Sequence, residues 1–360
     1  MYDCVIIGAG ISGMVLARVL HDAGMNICIV DDSQKGSASR VAAGLVNPIT
    51  GKRFGISWRY EEFLHSAKQL YHAYSNIDSS PNYLEEYPML RFFSDEKEAG
   101  LFYAKFADGF GSEYVGERIA PHSNSVHPTI KNHFGGFRTC NAHVFHYAGF
   151  LDATRKVFKS KIINGYVNPS SIHMDNEIWN VPINNEVIYS KTLVYCDGWK
   201  GAQNSWLDDL HLKFDIVKGE LCIIEAPQLP QTDILSRGFA IIPIGNGRFR
   251  CAATFQWNEM NTIPTEFGSD RLNNRIQSMI NCSFEILEYS AGLRPTMFNH
   301  IPFAGPHPMH KGLYMIGGLG TKGALYAPYM AQLIARHILD GTMPDEELNP
   351  AREYTRRNMN

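Results

Sequence analysis

A chain of 360 residues, 44% of them hydrophobic, has room for a substantial core in one large domain or two interleaved ones. Its 33 Lys and Arg against 36 Asp and Glu leave a formal charge of −3, and the longest basic cluster is Arg356-Arg357, so no nucleic-acid surface shows. The seven cysteines include no C-x-x-C pair, and Cys4, Cys28, Cys196, Cys222 and Cys251 sit in short apolar runs, which argues for reduced thiols in a cytosolic protein and against a thiolate metal site.

After Met1-Tyr2-Asp3 the chain enters an apolar strand, Cys4 to Ile7, without a basic or apolar leader, so no signal peptide is expected. No apolar stretch reaches the roughly 18 residues of a membrane-spanning helix. Gly8 to Gly13 (GAGISG) is a turn, Met14 to Ala23 reads as a helix closed by Gly24, and Asn26 to Val30 is a second strand ending at Asp31-Asp32. Ser33 to Phe54 is too small and polar for a core element and too apolar for a free linker, as a ligand-contacting loop would be. Tyr60 to Tyr74 is an amphipathic helix, residues 82–140 mix short strands with charges and aromatics, and Tyr147 to Phe158 is a further helix. Thr192 to Cys196 is a buried strand ended by Asp197-Gly198. Residues 215–256 read as antiparallel strands, with Phe239–Ile244 and Arg248–Thr254 flanking a Gly245-Asn246-Gly247 hairpin turn. Asp270 to Asn281 is a helix. The end returns to strand, turn and helix: Gly312 to Ile316, Gly317 to Gly323 (GGLGTKG), and Ala324 to Leu339, with Pro328 near the first turn. The tail after Met343 reads as a polar surface extension.

The first motif, Gly8-x-Gly10-x-x-Gly13, follows a strand and opens a helix. Gly8 permits the tight turn, Gly10 lets a pyrophosphate approach the backbone, and Gly13 lets helix and strand pack closely. The first-turn residues Ile11 and Ser12 would offer free N–H groups and the positive end of the helix dipole to the phosphates. Asp31 lies 18 residues after Gly13, where a carboxylate accepts hydrogen bonds from a ribose; Asp32 is a second candidate contact, with a solvated neighbour as its plainer reading. This unit implies a dinucleotide without choosing between FAD and a nicotinamide. The choice falls to Gly317-Gly318-x-Gly320-x-x-Gly323, which repeats the strand–turn–helix context about 300 residues later. Hydride transfer to a flavin leaves negative charge near its N1 and C2 carbonyl, and a helix N-terminus with a cation would stabilise that charge. Gly318, Gly320, Thr321, Lys322 and Gly323 are therefore candidate flavin contacts. Two readings of Lys322 stand, a flavin contact and a loop lysine facing solvent. His143 and His146 lack an accompanying carboxylate or cysteine, so no metal site is expected. Lys218-Gly219-Glu220 is read as structural.

The chain is similar to the D-amino-acid oxidase and glycine oxidase superfamily of flavoproteins in GAGISG with Asp31, SRVAAGLVNP, TLVYCDGW, AGLRPTMFNHIPFAG and GGLGTKG, in the family's order. The resemblance implies FAD held without a covalent bond. It also implies cofactor contacts from Ser37, Ser39, Arg40, Ala42, Ala43 and Gly44, and from Asp197 and Gly198. Arg294, in the Gly-Leu-Arg-Pro segment, would touch the cofactor and pair with a substrate carboxylate through its guanidinium fork; a structural arginine satisfying carbonyls is the other reading. The sequence departs from the family pattern at Asn299, often Asp, and at Ala240 and Ile244, where a tyrosine and an arginine are common.

The implied fold is α/β: a Rossmann-like FAD domain with a parallel central sheet (1–53, 141–214 and 291–360) and a substrate domain with an antiparallel sheet (54–140 and 215–290). The implied function is oxidation of the C–N bond of a carboxylate-bearing amine or amino acid by hydride transfer to flavin N5. Oxygen or another acceptor would then take the electrons, in the cytoplasm and with neither nucleic acid nor membrane as partner. The alternatives are a flavin oxidase modifying the wobble uridine of tRNA, which the absent basic patch disfavours, and a non-catalytic flavin-binding redox sensor.

Overall fold

The computed structural model describes residues 1–33, 37–107, 109, 111–257, 259–343 and 345–352. Two eight-stranded sheets organise it. In the first, the opening strand Tyr2–Ile7 lies between Ile27–Asp31 and Glu186–Tyr195 and runs parallel to both. Ile162–Asn164 and Leu313–Gly317 extend the parallel set outward, while Ile178–Ile183, His173–Asp175 and Phe303–Pro306 add antiparallel pairs. Uninterrupted apolar runs such as Cys4–Ile7 and Leu193–Tyr195 suit strands buried on both faces, and these residues are buried. Helices Ile11–Asp22 and Gly323–Asp340 pack against each other, and Tyr60–Asp78 packs on the latter.

The second sheet runs Glu285–Met297, Phe214–Glu225, Arg248–Ala252, Ala240–Gly245, Ile234–Ser236, Met89–Phe92, Gly136–Thr139 and Val115–Ile119. Every pair is antiparallel except Ile234–Ser236 with Met89–Phe92. Asn246, at φ 55°, makes the hairpin turn expected of an Asn-Gly pair. Among the described residues no helix is long and apolar enough to cross a membrane.

Several sequence expectations need correction. Glu285–Met297 is one strand, paired along its length with Phe214–Glu225, so residues 291–297 sit in the antiparallel sheet and not with the parallel one. The first helix begins at Ile11 rather than Met14. Glu266–Met279 starts ahead of Asp270, because the Thr265 side chain caps the Gly268 N–H. The helix Glu96–Phe106, capped by Asp95, was not read at all; only Phe102 and Phe106 on it are buried, too narrow a stripe to register as a period. The last helix starts at Gly323, which puts Pro328 in its second turn. The Ala324 carbonyl that Pro328 cannot bond accepts the Tyr71 hydroxyl at 3.0 Å, and this satisfies it. The tail is not a loose extension as far as residue 352. Leu348 is fully buried and its carbonyl accepts Ala304 N at 2.8 Å, while Arg352 donates to the Ile301 and Pro302 carbonyls. Arg356 and Arg357 lie outside the described residues.

Candidate functional site

A cavity of about 1170 Å³ opens where the carboxyl ends of the parallel strands meet the antiparallel sheet. The front glycine turn, the loop from Ser37 to Lys52, the Asp197–Lys200 segment, Arg294 and the rear turn through Lys322 all contribute to its wall. The two distant glycine motifs therefore share one cavity.

At the front turn each glycine has its own reason. Gly8 has φ 102°, and a Cβ there would stand 2.4 Å from the Cys196 carbonyl oxygen. A Cβ on Gly13 would fall 1.9 Å from the Gly8 carbonyl oxygen, so Gly13 closes helix onto turn and does not itself line the cavity. Gly10 is the N-cap and offers no side-chain cap. Gly10, Ile11 and Ser12 line the cavity, but the Ile11 N–H already donates to Ser39 Oγ at 3.0 Å.

The acidic pair is less open than the sequence reading supposed. Asp31 accepts Ala9 N at 2.9 Å and pairs with Arg155, while Asp32 pairs with Lys200. Both carboxylates still line the cavity, and a carboxylate has about four acceptor positions, so a ribose can add to these bonds rather than replace them. Arg155 and Lys200 also line the cavity and carried no sequence signal: they lie 124 and 168 residues from their partners.

In the loop, Ser37, Ser39, Arg40, Ala42, Ala43 and Gly44 all reach the wall. Arg40 is tied to Asp152 at 2.5 Å. Gly44 has φ 87° and no room for a Cβ, which would sit 2.4 Å from the Phe145 carbonyl oxygen. Asp197, which lines the cavity with Gly198, accepts Asn204 Nδ2 at 3.0 Å, and burial pushes its carboxyl up to about 6.

The rear turn is stitched to the strand of Arg294 by the Gly320 N–H on the Pro295 carbonyl (2.9 Å) and a bridge from Thr296 to Leu319. Gly320, Thr321, Lys322 and Gly323 line the cavity; Gly318 does not, because it packs on Met297. The Ala324 N–H donates to the Tyr147 hydroxyl at 2.8 Å. Lys322 is the N-cap of the last helix, and burial lowers its ammonium to about 8. Its ammonium lies 5.9 Å from the Tyr326 ring centroid.

Arg294 lines the cavity with its guanidinium 4.6 Å from the Phe255 ring centroid and its Nη1 on the Thr254 carbonyl at 3.2 Å. Burial lowers it to about 10, and among the described residues no carboxylate pairs with it. Gly219 clears its path, since a Cβ there would sit 1.8 Å from Arg294 Nη2. Ala240 lines the cavity, whereas Ile244 is 37% exposed and away from the wall. Asn299 accepts Ile301 N in an exposed turn. His143 is buried and His146 stands beside Glu85; among the described residues no cluster of three or more His, Cys, Asp or Glu is placed to hold a metal.

A glycine turn on a helix N-terminus, an acid at the end of the next strand and a cationic rear turn in one cavity define a dinucleotide-dependent oxidoreductase. FAD fits the residues present. The Nε of Arg155 is buried without a partner beside Asp31, which leaves a donor for a phosphate or ribose oxygen, and Lys322 supplies a cation at the opposite end. The chain belongs to the family described as FAD dependent oxidoreductase (DAO), whose model matches residues 3–337. It is 22% identical to a glycine oxidase of Pseudomonas aeruginosa, over 94% of this chain and 95% of that one. It is 23% identical to the bifunctional tRNA 5-methylaminomethyl-2-thiouridine biosynthesis protein MnmC of Leptospira interrogans, covering 98% of this chain but 60% of that protein. A solved glycine oxidase from Geobacillus kaustophilus superposes with a TM-score of 0.81 at 19% identity, over 94% of each chain. The protein is thus an FAD-dependent oxidoreductase of mixed α/β fold.

Proposed function

We propose that this enzyme oxidises the C–N bond of an amine that carries a carboxylate, working in the cytoplasm. The carrying observation is Arg294: a half-buried guanidinium lining the cavity, unpaired with any described carboxylate and given its place by Gly219. A fork of donors in that position matches a carboxylate through two parallel hydrogen bonds, which fixes the substrate by its acid end. FAD, when bound, supplies the acceptor for the hydride that leaves the carbon beside the nitrogen. The nitrogen lone pair forms the C=N bond as that hydride departs, the N–H proton passes to solvent, and water then hydrolyses the imine.

The residues of the front turn, with Asp31 and Arg155, would hold the adenosine and pyrophosphate end. Ala42, Ala43 and Gly44 would leave space for the ring, and Lys322 would offset charge that accumulates at the far side of it. Among the described residues no histidine lines the cavity, and Glu220 is engaged by Thr265 and Gln256. In this reading the amine arrives neutral, without a side chain assigned to deprotonate it. Oxygen or another acceptor would complete the turnover. Anaerobic mixing with D-amino acids, glycine, sarcosine and proline tests this reading. At least one should bleach the flavin absorbance; if none does while dithionite does, amine oxidation is wrong.

A further inference from the structure

We infer that a second guanidinium, that of Arg275, receives a second carboxylate, so that the substrate is an amine bearing two acid groups. This rests on the amine-oxidation reading above and narrows its substrate class.

Arg275 stands on the helix Glu266–Met279, which packs on the antiparallel sheet, and it lines the same cavity as Arg294. Its Nη1 donates to the Ala253 carbonyl at 2.9 Å, one residue before the Thr254 carbonyl that anchors Arg294 at 3.2 Å. The two anchoring carbonyls are consecutive in the chain, and both arginines line one cavity wall. The guanidinium also lies 5.7 Å from the centroid of Phe239, another wall residue.

The other arginines of the wall have carboxylates. Arg40 has Asp152, Arg155 has Asp31 and Arg91 has Glu98. Among the described residues neither Arg275 nor Arg294 has one. The charge felt at Arg275 is that of Arg271, one helical turn earlier and of the same sign. A guanidinium offers five donors, and a single hydrogen bond to protein is recorded for Arg275. Two partly desolvated cations without counter-ions are costly, and an anionic ligand would offset both. The same cavity wall carries the small residues Ala240, Ala252 and Ala253, which leave room for a second arm. A substrate with one carboxylate would satisfy Arg294 and leave Arg275 without a counter-ion.

Two measurements on the FAD-loaded protein test this. Isothermal titration compares succinate and glutarate with acetate and butyrate, which bind without being oxidised at nitrogen. Anaerobic flavin reduction compares D-aspartate, D-glutamate and iminodiacetate with D-alanine, glycine and sarcosine. The dicarboxylates should bind about 10–100-fold more tightly and react with correspondingly higher kcat/KM. Arg275→Met should abolish that preference, and Arg275→Lys should return part of it. Should Arg275→Met fail to fold, the wild-type comparison decides alone. A preference of the wild-type protein for the monocarboxylates would overturn the second subsite while leaving amine oxidation standing; failure of both amine sets to bleach the flavin would overturn both.

Discussion

Two cations on one pair of strands have opposite settings. Lys218 and Arg294 come from Phe214–Glu225 and Glu285–Met297, one residue out of register: Arg294 pairs with Val217, and Lys218 with Leu293. Lys218 is fully buried and surrounded by acceptors, with Asn261 Oδ1 at 2.9 Å, the Ile263 carbonyl at 2.6 Å and Glu220 Oε1 at 3.7 Å. Arg294 has one carbonyl, a phenylalanine face and a cavity. The first cation is neutralised by the protein and holds the segment from Gln256 to Gly268 against the sheet. The second lines the cavity, and among the described residues no carboxylate pairs with it. Alternation along a strand separates these two tasks by a single residue.

That contrast can be broken from either side. The largest effect should come from Lys218→Met, which leaves Glu220 buried without its cation; a loss of about 3–5 kcal/mol is expected, read as a fall in Tm. Replacing Glu220 as well, in Lys218→Met with Glu220→Leu, should recover part of it. Arg294→Met should do the reverse. Stability and flavin content should hold, while KM for a carboxylate-bearing amine rises about 30-fold or more in steady-state kinetics. Equal loss of flavin in that variant would mean that the arginine serves the cofactor instead. Gly219→Ala sharpens the comparison without touching a charge. Its methyl group would displace the guanidinium, and a rise in KM of about 10–100-fold is expected with an unchanged fold by circular dichroism.

The front of the cavity gives a smaller effect. Arg155→Met removes the partner of Asp31, and flavin affinity should fall by about tenfold in a fluorescence titration, with the KM for amine unaltered. The last test concerns Lys322 in the flavin-free protein. Its folded value of about 8 lies below the usual 10.5, so burial penalises the folded state fully below pH 8. As pH rises from about 8 to 10.5 the folded state gives up the proton first, and stability relative to Lys322→Met should increase across that window. A flat difference between the two melting curves from pH 7 to 10 would place the ammonium in solvent.

The parts of the fold that were legible in the sequence are those written in local pattern. GAGISG between strand and helix, GGLGTKG in the same context, the Asn-Gly hairpin and Arg294 before Pro295 could all be read because each needs only its neighbours. Arg155 and Lys200 could not, since their carboxylates are reached through tertiary packing and nothing near them in the chain marks the pairing. Gly219 looked like an ordinary strand glycine; its reason is the side chain of a residue 75 positions later, in the paired strand. Arg275 sat in a polar helix as one of several charges, and only the carbonyl it bonds reveals which way it points. The domain boundary expected at residue 291 falls inside one strand, because the pairing of residues 285–297 with 214–225 is a long-range contact with no local mark. Physically the Gly-Leu-Arg-Pro segment is the end of a long substrate-side strand whose last residues reach the rear turn.

The stitch between Thr296 and Leu319 has a bearing on synthesis. A nascent chain leaves the ribosome with its phosphate turn first, yet the opposite wall of the pocket is made from residues 316–325. An emerging polypeptide that stops short of that stretch has one jaw of the clamp and not the other. Such a truncated polypeptide should therefore capture the cofactor weakly or not at all.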